Sequence, residues 1–83
     1  MTINKDYVLF HLQEAYEELA RTIAEIANES GYAQEEFTVA MAHLFHHLNT
    51  AWNARNVTVD RAAACSETDF ERWRQFPKDL EIS

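Results

Sequence analysis

The sequence predicts an all-α protein: a long antiparallel helical hairpin, about 5–29 and 33–55, with one or two short C-terminal helices packed across it, paired as a four-helix-type homodimer. Three observations carry that expectation. Apolar residues recur in alternating steps of three and four, first at Leu9, Leu12, Tyr16, Leu19, Ile23 and Ile26, then at Phe37, Met41, Leu44, Leu48 and Ala51. This is the period of one face of an α-helix rather than of a strand. The chain's single glycine, Gly31, separates the two stripes, and one glycine with one proline leave little material for hairpin turns of a β protein. Finally, at 83 residues the chain sits near the lower size at which one core is self-sufficient, so pairing with a second copy is expected from length alone.

The first helix is expected from about Lys5 to Glu29, with Asn4 as its N-cap and Asp6 favourable in the first turn, where unpaired N–H groups attract negative charge. Its outward face is read as His11, Glu14, Glu18, Arg21 and Glu25, a solvated charged strip. Repulsion between Glu14 and Glu18 there is offset by Glu17–Arg21 and Arg21–Glu25 pairing. Ser30 and Gly31 are expected to end the helix, glycine taking the left-handed cap conformation.

The second helix is expected from about Ala33 to Arg55, with Glu35 and Glu36 in its first turn. Folded back antiparallel, Ile26 falls opposite Phe37, Ile23 opposite Met41, Leu19 opposite Leu44, Tyr16 opposite Leu48 and Leu12 opposite Ala51. The near-constant index sum predicts a seam built from the two stripes. Ala20, Ala27, Phe45 and Trp52 add an apolar edge for the C-terminal segment to cover, and Arg55 can stack on Trp52.

That segment is expected to form a short helix capped by Thr58 and reaching Cys65. A second helix follows, opened by a Ser66/Asp69 capping box and ending near Gln75, since Pro77 disfavours helix at the residue before it. Phe70, Trp73 and Phe76 would fold over the hairpin, with Arg72 and Arg74 serving neighbouring carboxylates. The chain thus divides into a hairpin (1–57), a helical cover (58–76) and a loose tail (77–83) within one domain.

Charge and composition exclude several functions. A formal net charge of −7 opposes phosphate-backbone binding and docking on anionic membranes, so neither nucleic acid nor membrane is an expected partner. The second helix is long enough to span a bilayer, yet His43, His46, His47, Asn49 and Asn53 make that costly. Neither a Rossmann fingerprint nor a P-loop occurs. The lone Cys65, and a start without a basic stretch followed by an apolar run, point to a reducing, cytoplasmic setting. Cys65 is read as a small hydrophobe, because nothing places a base beside it.

Between Phe37 and Ala54 no residue other than histidine is ionisable, so the second helix has no charged face of the kind a surface helix carries. A noncatalytic module that self-associates or docks another protein through this helix is therefore expected. Its contact surface is read as Val39, Ala42 and His46, on the side away from the seam, together with Phe45 and Trp52. The alternative is a metal-binding protein centred on His43 and His47, four residues apart on one face, with zinc or a similar divalent transition metal as cofactor and His11 and Glu18 as further ligands. The H-E-x-x-H protease pattern is absent, as Leu44 and Phe45 stand in the interval.

Overall fold

The structure is a computed structural model and describes residues 2–81. Four helices follow one another: α1 (Lys5–Asn28), α2 (Gln34–Asn53), α3 (Val59–Ala63) and α4 (Glu67–Trp73). No strand occurs among the described residues, and α1 and α2 pack against each other as a hairpin.

The helix starts follow the local chemistry of the sequence. Asn4 caps α1, its side-chain oxygen accepting from the Tyr7 amide at 3.2 Å. The same residue joins the hairpin's open end: its backbone amide donates to the Arg55 carbonyl at 2.6 Å and its Nδ2 to the Val57 carbonyl at 3.1 Å. Thr58 caps α3, accepting from the Arg61 amide, and Ser66 caps α4, accepting from the Asp69 amide at 3.1 Å. Ala33 starts α2 without a side-chain acceptor, and the Glu36 carboxylate instead accepts from the Ala33 amide at 3.3 Å.

The end of α1 differs from expectation. Glu29 is the C-cap in extended backbone, with φ −114° and ψ 109°, and Gly31 has no positive φ. An extended residue already turns the chain outward, and Gly31 sits in open space, so no left-handed step is needed.

The principal correction concerns the seam. The stripes do not form the buried seam, although on α2 Met41 and Leu44 are half-buried and Ala51 is buried. Tyr16 is 72% exposed and Ile23 60%, and Leu9, Leu12, Leu19, Ile26, Phe37 and Leu48 are exposed as well. The row of α1 that meets α2 is instead His11, Ala15, Glu18 and Thr22, all buried, against Ala40, His47, Thr50 and Ala54. Small side chains let the two backbones approach. Of the polar members, His11 pairs with His47 and Glu18 with Arg21 and His43, which makes their burial tolerable, whereas the Thr50 hydroxyl is buried without a partner. His11 and Glu18, expected on a solvated face, are thus interior groups.

On one side of the hairpin lies the C-terminal cover. Trp73 is buried and meets Tyr7 edge to face at a centroid separation of 6.2 Å, Phe70 packs on His46 at 4.9 Å, and Phe76 on Phe45 at 5.1 Å. The aromatic strip therefore folds back as its spacing implies, although Ala20 and Ala27 on α1 stay exposed. Two asparagines of α2 hold the end of α4. Asn49 donates to the Arg74 carbonyl at 3.0 Å, and Asn53 to the carbonyls of Trp73 and Gln75, each at 2.7 Å. These are carbonyls that a helix end leaves without intrahelical donors.

After Lys78 the chain touches α2 at Asp79. Asp79 accepts from the Trp52 indole at 2.9 Å and from Arg55 at 3.4 Å, while the Arg55 guanidinium lies 3.8 Å from the Trp52 ring centroid. Of the tail expected over 77–83, residues 82 and 83 lie outside the described part.

Candidate functional site

Successive residues of an α-helix are turned by about 100°. Each apolar stripe lies one position after the row that makes the hairpin contact: Leu12 after His11, Tyr16 after Ala15, Leu19 after Glu18 and Ile23 after Thr22. On α2, Met41 follows Ala40, Leu48 follows His47 and Ala51 follows Thr50. In antiparallel helices an offset of the same sign carries both stripes to the same side. The two stripes therefore form one continuous apolar face. At the open end Leu12, Leu48, Ala51 and Trp52 line a common groove of about 330 Å³. At the loop end Ile26, Phe37 and Met41, with Tyr32, line another of about 730 Å³.

The positions one residue before the contact row face the other way, and there the C-terminal cover sits: His46, Asn49 and Asn53 all touch it. Of the surface expected from the sequence, His46, Phe45 and Trp52 contact Phe70, Phe76 and Asp79 of this same chain. Val39 and Ala42 remain exposed beyond the cover.

Inside the hairpin the histidines meet in pairs. The Nδ1 atoms of His11 and His47 are 3.0 Å apart, so one ring donates and the other accepts, and the bond requires at least one neutral ring. His11 is 6% exposed; burial, then the nearby His47 and His46, pushes its pKa down to about 4. His46, wedged between His47 and Phe70, is lowered by burial and then by His47, Arg74 and His43. Its Nδ1 is buried without a hydrogen-bond partner. His43 stands 3.6 Å from Glu18, whose other carboxylate oxygen takes the Arg21 guanidinium. Arg21 thus pairs with Glu18 rather than with Glu17 or Glu25.

The four residues considered as metal ligands are brought near one another as two pairs, His11 with His47 and His43 with Glu18. Among the described residues no group of three or more His, Cys, Asp or Glu side chains is arranged to hold a metal ion. Cys65 is exposed, its thiol 3.7 Å from the Ser66 carbonyl, and is no part of the packed interior. Arg61 and Arg72 both reach Asp69, at 2.8 and 3.5 Å, and Arg74 reaches Glu71, as the local charge pattern suggests.

What reading the stripes alone misses is the second periodic row beside each of them. Its signal is visible afterwards: His11, Ala15, Glu18 and Thr22 repeat at helical spacing, as do Ala40, His43, His47, Thr50 and Ala54. Compared with known proteins, the chain matches no family model, no curated protein and no solved structure. Among the described residues no helix is long and apolar enough to cross a membrane.

Proposed function

We propose that this chain is a noncatalytic helical interaction module whose binding surface is the apolar face built by both stripes. The observation that supports it is the exposure of eight large apolar side chains, Leu9 to Ile26 on α1 with Phe37 and Leu48 on α2, on a single side of the hairpin. Isolated exposed hydrophobes are ordinary, but a contiguous patch beyond a few hundred Å² marks a surface that another molecule covers. The uncharged stretch of α2 contributes to this function by supplying one wall of the face, rather than by offering Val39 and His46.

Thiol labelling tests the reading directly. In a Cys65→Ser background and in dilute protein, Ile23→Cys should react quickly, whereas Ala15→Cys, between the helices, should be protected. Equal protection of the two positions would place Ile23 in the chain's own interior and end the proposal.

A further inference from the structure

We propose that the occupant of the apolar face is a second copy of this chain, two hairpins packing face to face as an antiparallel four-helix bundle with their loop ends apart. This rests on the interaction reading above and adds the identity and arrangement of the partner.

Three quantities point to a copy of the chain. The protein exposes 6367 Å², whereas a compact monomer of 9.7 kDa exposes about 5,100 Å². The Cα radius of gyration is 14.5 Å, against roughly 12 Å for a globular chain of this length. Third, the eight large apolar side chains of the face are each 39–72% exposed, and a stable interface takes about 800 Å² from each partner. The surplus surface of one chain, roughly 1,300 Å², is more than enough to supply one partner's share of such an interface.

The molecule also lacks a sufficient interior of its own. Four of its five buried apolar residues are alanines, Ala15, Ala40, Ala51 and Ala54, the fifth is Trp73, and no large side chain is fully buried among the described residues. A fold that needs the face covered requires an occupant present wherever the chain is, and another copy meets that condition. A two-helix apolar face is also self-complementary under a two-fold axis, and stacking two of them gives a four-helix bundle.

Charge selects the arrangement. Glu25, Glu29, Glu35 and Glu36 crowd the loop end, whereas at the open end Lys5 and Arg55 are balanced by Asp6 and Asp79. Setting the loop end of one hairpin over the open end of the other separates the glutamate clusters. α1 then crosses α1 of the other copy near its middle, around Tyr16 and Leu19.

Sedimentation of the full chain across micromolar concentrations should give the mass of two chains, and the melting temperature should rise with concentration. Ile23→Glu should weaken pairing by roughly a hundredfold or more, while Val39→Glu, off the face, should not. Should Ile23→Glu fail to fold, the concentration dependence of the unaltered chain still decides. Leu19→Cys in a Cys65→Ser background should form a disulfide between copies on mild oxidation. A dimer that resists this cross-link would overturn the antiparallel arrangement. A monomer at the highest concentration, with a concentration-independent melt, would overturn the second copy altogether. In that event fast labelling of Ile23→Cys would leave the interaction reading standing with a different partner, and protection there would remove both.

Discussion

His11 is the residue at which the hairpin is most sensitive to its surroundings. Its ring is neutral in the folded chain and held so by burial and by its two histidine neighbours, with a pKa of about 4. In the unfolded chain the same ring takes up its proton near the ordinary histidine value of about 6.5. Between these values the unfolded state binds more protons than the folded one, so stability falls as pH drops from about 6.5 towards 4 and His11 contributes no further loss below that. The loss is on the order of 3 kcal/mol. Urea midpoints measured across this window should show it, and His11→Asn should flatten the slope; an unchanged slope would mean the ring is not excluded from water. Asp69 acts in a different window. The hydrogen bond from Arg61, with support from Ser66, holds its carboxyl below the ordinary range. Its stabilising effect is therefore present above that range and is lost only at more acid pH, below the histidine limb.

At the scale of the elements, the cover is held by a few identifiable bonds. Asn53 donates to two carbonyls at the end of α4. Asn53→Ala should cost about 1–3 kcal/mol by leaving those acceptors poorly paired. The emission of Trp73, now buried, should shift to the red as α4 loosens. Removing the cap at the other end of α4 with Ser66→Ala should cost about 1 kcal/mol. A change that left both the melt and the Trp73 emission unaltered would mean that α4 is not docked as described. These elements were legible in the sequence because capping is local: Asn4, Thr58 and the Ser66/Asp69 pair act within one turn of where they stand. The aromatic strip at Phe70, Trp73 and Phe76 was legible for a similar reason, as its spacing and Pro77 leave one short helix. The facing of α1 was not. Periodicity identifies the apolar side of a helix without saying what covers it, and His11 and Glu18 look solvent-bound until His47, Arg21 and His43 are brought beside them. That is tertiary information, carried by residues up to 36 positions apart.

For the molecule as a whole, the architecture is a sandwich of three layers: an open apolar face, a hairpin joined by alanine, threonine and histidine, and an aromatic cover. Its net charge adds a condition. Each chain carries −7, so two copies bring −14 together, and their long-range repulsion opposes association. Added salt screens that repulsion and strengthens apolar burial only weakly at moderate concentration. The proposed pairing should therefore tighten as ionic strength rises from low to physiological values, as read by sedimentation. Weakening over the same range would show that attraction between opposite charges across the interface outweighs the net charge.

The alanine-lined contact between α1 and α2 has a consequence for the life of the chain after synthesis. A hairpin joined by small residues closes readily but holds itself weakly, and an unpaired chain leaves its apolar side open to proteases and chaperones. If copies pair as proposed, abundance would feed back on survival: copies made in excess would pair and persist, while scarce ones would be cleared. The steady level of the protein would respond to its rate of production more steeply than in simple proportion.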